Sequence, residues 1–236
     1  MKGTAAINLE LSSRTLPNFS ESPPREPPVK PSAYVQYGCG LTAPEGWLNF
    51  DASPTLRMQR LPVIGRWAAA GGTLFPPNVQ YGDIVKGLPI TAGSCRAVYC
   101  SHVLEHLSLS DFRAALANTR TVLAAGGIFR LVVPDLRVAA QRYVADPSPL
   151  AAGRFMTETF LGITDRPHGL RGLLRSWLGH SQHLWMWDYP SLHHELAAAG
   201  FTGIRPARMR DSEEPMFTVI EEESRWVDAV GVQCTA

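Results

Sequence analysis

Charge is scarce in this chain and carries no sign: charged residues make up 18% of 236, and Lys+Arg 22 against Asp+Glu 21 leaves a net charge of +1. No global field exists to hold a polyanion, so nucleic acid is not expected as the main partner, and only a local basic patch remains open. Cysteine is equally sparse. The four, at 39, 95, 100 and 234, have neither the density of a disulfide scaffold nor CxxC spacing, so they are expected as reduced thiols. Long apolar runs are missing: no window approaches the ~18 residues of a membrane span. The start, Met1-Lys2-Gly3-Thr4-Ala5, does not lead into the apolar stretch of ~7–15 residues that a secretory signal needs. A protein of the cytoplasm without a membrane span is the expectation.

Apolar residues, by contrast, reach 45%, enough for one sizeable core of the α/β kind. Six prolines between Leu16 and Ser32 (17, 23, 24, 27, 28, 31) favour extended, hydrated chain, so residues 1–33 read as an N-terminal arm. Short apolar runs then alternate with punctuation. Tyr34 to Tyr37 runs into Gly38-Cys39-Gly40, and Trp47 to Phe50 ends on Asp51. Val79 to Asp83 and Arg96 to Cys100 follow as strands three and four. Apolar positions 109, 112, 116, 122 and 123 share a helical face that Gly126-Gly127 should stop. Ile128 to Val133 is the strongest strand pattern. A late helix, 191–199, is stopped by Gly200, and Phe201 to Ile204 and Phe217 to Ile220 read as the last strands. The folded domain is expected over 34–226, with 137–190 as an acceptor-binding or lid insertion and 227–236 as a C-terminal tail.

Strands alternating with helices predict a doubly wound, mostly parallel sheet, in which ligands gather at the carboxyl ends of strands near the switch in strand order. Gly38-Cys39-Gly40, Asp51, Asp83, Ser101-His102 and Pro134-Asp135 all fall at such ends. Gly-x-Gly after a strand is weak by itself, since it serves any close approach of backbone to ligand. Only Leu41 to Gly46, with Pro44 among them, separate Gly40 from the second strand. That is too short for a helix whose N-terminus could face a pyrophosphate, so the ligand that fits is a nucleoside without phosphates.

Gly38-Cys39-Gly40 with Gly46-Trp47-Leu48-Asn49-Phe50-Asp51 resembles the first two motifs of class I S-adenosylmethionine (SAM)-dependent methyltransferases. Tyr99 to Leu107 is similar to the segment after strand four, Arg120 to Gly127 to the turn into strand five, Val133 to Leu136 to the end of that strand, and His194 to Phe201 to the late helix and glycine turn. The resemblance covers about 34–136 and 188–222. It implies a seven-stranded Rossmann-like sheet with SAM as cofactor. Asp51 would accept from the two ribose hydroxyls, because a carboxylate is acceptor-only and matches a vicinal diol. Asp83 would hold the adenine amino group and the Ile84 N–H a ring nitrogen. Tyr37, Ser101 and His102 would line the cofactor. Two positions depart from the pattern: Gln36 replaces the usual acid of strand one, and Thr42 the loop's third glycine. Gln36 can still hydrogen-bond the methionine end, without pairing its ammonium as a carboxylate would.

Methyl transfer from a sulfonium is an in-line displacement with an activated leaving group, so proximity and orientation supply most of the rate. A general base helps a hydroxyl acceptor, and His106, Asp135 and His183 are the candidates, each with a plain alternative in packing or capping. Arg171 and Arg175, one helical turn apart and preceded by Arg154, Arg166 and His168, are candidate grips for an anionic small-molecule or glycan-type acceptor. The same arginines fit a lid helix with a solvated basic edge. Gln36 and Thr42 also fit a non-catalytic SAM binder. His102-x-x-Glu105-His106 spells the inverted zinc-protease motif, which requires a continuous helix from its first histidine. Here His102 directly follows a strand, so the two histidines are expected on different sides of the junction, and no metal is expected.

Overall fold

The computed structural model describes residues 33–60, 74–163 and 182–236. Seven strands form one sheet: β1 (Ala33–Tyr37), β2 (Trp47–Asp51), β3 (Val79–Tyr81), β4 (Cys95–Ser101), β5 (Leu123–Pro134), β6 (Thr202–Ala207) and β7 (Ala229–Thr235). Their order is β3-β2-β1-β4-β5-β7-β6. Strands β1 to β5 run parallel, and β7 pairs antiparallel with both β5 and β6. Strand order therefore switches between β1 and β4, and a ligand crevice is expected at their carboxyl ends.

The helices are α1 (Pro54–Gln59), α2 (Leu109–Val122), α3 (Leu136–Ala145), α4 (Ala151–Glu158) and α5 (Tyr189–Ala198). Asp188 opens α5 with a capping box: its carboxylate accepts from Ser191 N while the Ser191 hydroxyl accepts from Asp188 N. Phe112 and Leu116 of α2 and Leu192 and Leu196 of α5 are fully buried on one face of the sheet, against Val35, Val98, Phe129 and Leu131. Trp187 joins them, stacked on Phe112 at 4.0 Å between ring centroids. Each such side chain contributes roughly 1.5–3 kcal/mol by leaving water. The other face packs Trp47, Tyr99 and Val132 under Phe217 and Ile220.

The doubly wound, mostly parallel sheet agrees with expectation, and three details do not. The helix ends at Val122, and β5 begins at once, ahead of Gly126-Gly127. Phe217 to Ile220 is no strand: Pro215–Val219 forms a 3-10 helix, with Phe217 fully buried on the sheet. The true last strand lies within 227–236, so that segment is no tail. β7 sits between β5 and β6, with Val232 and Cys234 buried. Its pattern, Ala-Val-Gly-Val-Gln-Cys-Thr, is half small and polar, which hid its burial on both faces. Of the segment 137–190, the described part includes α3, which buries no side chain, and α4, which buries only Ala151. No helix among the described residues is long and apolar enough to cross a membrane.

Candidate active site

The turn after β1 is built around two glycines with left-handed backbone, Gly38 at φ +65° and Gly40 at φ +54°. At Gly38 space is closed as well: a Cβ there would stand 2.0 Å from Val103 Cγ2. The turn is clasped to β2. Cys39 N donates to Phe50 O at 3.1 Å, and Asp51 Oδ2 accepts from Gly40 N at 2.9 Å while its Oδ1 accepts from Ser53 N at 2.7 Å. Each carboxylate oxygen has one backbone partner and a further lone pair. The glycine turn and the acid at the end of β2 thus form one cradle.

Beside it opens a narrow cleft lined by Gln36, Gly38, Thr42, Tyr99, Ser101, Glu222 and Arg225. Gln36 is buried, and its amide donates to Thr42 O at 2.6 Å and to Asn49 Oδ1. It braces the loop, and its Oε1 accepts no hydrogen bond among the described residues. The Tyr99 and Ser101 hydroxyls are buried without a partner. Such groups in native proteins call for a ligand or water. Thr42 Oγ1 donates to Glu222 Oε1 at 2.6 Å, so the loop after β1 meets the segment before β7 across the cleft.

Several expected cofactor residues contribute backbone rather than side chain. The ring of Tyr37 is buried, stacked on Phe129, and its hydroxyl accepts from Thr119 Oγ1 at 3.2 Å. The Cys39 side chain packs with Leu56 and Val79, and burial pushes its thiol up to about 12, with the Asp51 charge adding to the shift. Ile84 is likewise a core side chain. Asp83 accepts from Val85 N at 3.0 Å and Lys86 Nζ at 2.7 Å, the bonds of a turn aspartate, and stays partly exposed.

His102 differs from expectation. It takes a left-handed backbone, φ +53°, and its Nε2 bonds Arg225 O at 2.8 Å, so the ring is tied to the segment before β7 instead of lining the cleft. Its Nδ1 faces Glu105 Oε1 at 3.5 Å. The segment Leu104–His106 is a single 3-10 turn, so the continuous helix of a zinc protease does not form. The expected separation of the histidines does not hold either. His102 and His106 both approach Glu105, because the left-handed residue reverses the chain before the 3-10 turn.

His106 and His183 come together, with ring centroids 4.9 Å apart. Leu184 N and Trp185 N both donate to Glu105 O, and the His106 Nδ1 bonds Gln182 O at 3.0 Å, which seats residues 182–185 against the 3-10 turn. Burial lowers the pKa of His183 to about 4, and neighbouring histidines add to this, so the ring is neutral near pH 7. Asp135 is not one of this group. Its Oδ1 accepts from Arg137 N at 2.8 Å, the cap of α3. Arg154 is paired with Asp146 at 3.0 Å, and Arg166, His168, Arg171 and Arg175 lie outside the described residues. Tyr99, Glu222 and Arg225 had no sequence signal beyond their place at strand ends or in a charged run, and only the folded chain brings them to the cleft, with Asn49 buried behind Gln36.

Residues 59–131 match a family described as a methyltransferase domain. No curated protein sequence matches the chain. Among solved structures, a methyltransferase in complex with the Trm112 activator of Haloferax volcanii shares 15% identity over 90% of this chain and 85% of that one, with a TM-score of 0.44. A SAM-dependent methyltransferase from Archaeoglobus fulgidus shares 13%, covering 89% of both chains, at 0.44. One from Mesorhizobium loti shares 17% over 89% of this chain and 94% of that one, at 0.43.

Proposed function

We propose that this chain, which carries a SAM-dependent methyltransferase domain, methylates a hydroxyl of a small-molecule or glycan-type acceptor in the cytoplasm. The observation that supports the cofactor site best is the clasp between Asp51 and Gly40, because it sets a carboxylate with spare lone pairs beside a glycine turn that is open at Gly40 and leaves backbone to face a ligand. In this reading Asp51 accepts from the ribose hydroxyls. Asp83 and the Ile84 N–H take the adenine edge, and the free Oε1 of Gln36 accepts from the methionine ammonium. The orphaned Tyr99 and Ser101 hydroxyls fit a ligand with polar atoms.

The cofactor supplies a methyl group on a sulfonium, already activated for displacement. The chain then has to orient the acceptor and receive its proton. His106, partly exposed, fits the task of taking the proton, while His183, kept neutral by burial and for the same reason a weak base, packs edge-on against it and orients it. Asp135, occupied as a cap, is the weaker candidate. An anionic group on the acceptor would be gripped by Arg171 and Arg175.

Turnover with a panel of hydroxylated and carboxylated small molecules and sugars, read as S-adenosylhomocysteine formed, tests the reading. His106→Ala should lower turnover by about 10²- to 10⁴-fold while cofactor affinity stays within a few fold. Methyl found on nitrogen or carbon by product mass spectrometry would overturn the hydroxyl assignment. Tight cofactor binding with no product from any acceptor would favour a non-catalytic binder.

A further inference from the structure

Glu105 is 1% exposed, and neither of its carboxyl oxygens has a hydrogen-bond partner among the described residues. A buried carboxylate left alone is costly, and proteins pair such groups or set them on metals. Three imidazole nitrogens stand around Oε1: His102 Nδ1 at 3.5 Å, His106 Nε2 at 3.9 Å and His183 Nε2 at 4.0 Å. Burial raises the Glu105 carboxyl to about 8, yet a neutral acid does not resolve the geometry. Its O–H would need an acceptor within about 2.5–3.0 Å, closer than any of these nitrogens.

The spacing suits a cation between the groups. Ligand atoms of Glu105, His106 and His183 all lie within 4.8 Å of one another. Bonds of about 2.0–2.2 Å in a tetrahedron place ligand atoms about 3.3–3.6 Å apart, so shifts of a few tenths of an ångström to about one would close the set. The ring of His106 is already held as a ligand would be, its Nδ1 on the Gln182 carbonyl and its Nε2 turned to the carboxylate. His102 is fixed in the same way: its Nε2–H donates to the Arg225 carbonyl, which leaves a bare Nδ1 facing the same carboxylate oxygen, a juxtaposition of lone pairs that a cation relieves.

We propose that Glu105 Oε1, His106 Nε2 and His183 Nε2 form a binding site for a divalent transition-metal cation of the zinc, cobalt or manganese type. Two imidazoles and one carboxylate leave at least one position open, and the partly exposed His106 marks the side from which it is reached. The ion's role rests on the hydroxyl-acceptor reading above and takes the place of the imidazole base in it: with both imidazoles on the ion, a hydroxyl at the open position would have its pKa lowered and pass its proton to water. Binding of the ion does not depend on that reading.

The test uses the full chain, stripped with a chelator and titrated with Co²⁺ alone, followed by visible absorption and then by displacement with Zn²⁺. One Co²⁺ per chain with ligand-field bands is expected. His183→Ala and Glu105→Gln should each weaken it by more than the ~100-fold that loss of an outer partner costs. His193→Ala, on the exposed face of α5, should not change it. S-adenosylhomocysteine affinity, measured on every variant, reports that the chain is folded. It also separates failure of the metal site from failure of the cofactor site. A stripped wild-type chain that takes up no stoichiometric Co²⁺ or Zn²⁺, or folded His183→Ala and Glu105→Gln variants that bind as wild type does, would overturn the site.

Discussion

Replacing Gly38 by alanine loads two costs onto one methyl group. At φ +65° an L-residue gives up roughly 1–2 kcal/mol against its preferred backbone. The new Cβ would also stand 2.0 Å from Val103 Cγ2, a contact no side chain makes, so Val103 or the turn must move. Overpacking of this kind costs about 1–3 kcal/mol. Together about 2–5 kcal/mol is expected, a large part of the ~5–15 kcal/mol that holds a typical domain together. With a slope of about 2 kcal/mol per molar urea, the midpoint should fall by about 1–2.5 M. The partner variant Val103→Ala separates the two costs: combined with Gly38→Ala it should recover the steric share, about 1–3 kcal/mol, and leave the backbone share. Because Gly38 lines the cleft, S-adenosylhomocysteine affinity should fall in the single variant and partly return in the double. Equal midpoints for wild type and Gly38→Ala, or strict additivity with Val103→Ala, would refute the close approach of the turn to Val103.

Arg130 is wholly buried under Trp226 and Phe217 and bonds Glu221, Asp211, Gln233 and the Arg208 carbonyl. Arg130→Ala leaves Glu221 buried without its partner and should cost about 3–5 kcal/mol in urea unfolding, and a loss under 1 kcal/mol would contradict the network. All four cysteines are free and buried, and the Cys39 thiol is pushed up to about 12, so native protein at pH 8 should resist alkylation at every one. Rapid labelling of Cys39 without denaturant would show the turn opening where the structure closes it.

Local chemistry made the front of the fold readable. Each of β1, β2 and β4 is a short apolar run closed by glycine, acid or serine, and the cradle lies where those runs end. What escaped the sequence depends on contacts distant along the chain. β7 looks polar and small, yet it is buried because both β5 and β6 flank it. Phe217 to Ile220 has the alternation of a strand, but Pro215 and the packing of Phe217 onto Trp47 turn it into a 3-10 helix that covers the sheet. The cluster around Glu105 was partly visible as His-x-x-Glu-His. Its third histidine lies 77 positions after His106 in the chain and arrives through long-range bonds: Leu184 N and Trp185 N to the Glu105 carbonyl, His183 N to Phe160 O and His106 Nδ1 to Gln182 O. The left-handed turn at His102 had little signal either, since non-glycine residues seldom adopt it, although histidine does so more often than most.

The central claim is a SAM site whose ribose anchor is the carboxylate at the end of β2, and calorimetric titration of S-adenosylhomocysteine into wild type and Asp51→Ala tests it most directly. One site per wild-type chain is predicted. The variant loses charge-assisted bonds to the ribose, about 2–4 kcal/mol or roughly 30- to 1000-fold in affinity. Asp51→Asn should not restore it, because one end of an amide must turn an N–H₂ toward the N–H of Gly40 or Ser53. No binding to the wild-type chain, or an unchanged dissociation constant in a folded Asp51→Ala variant, would contradict the account.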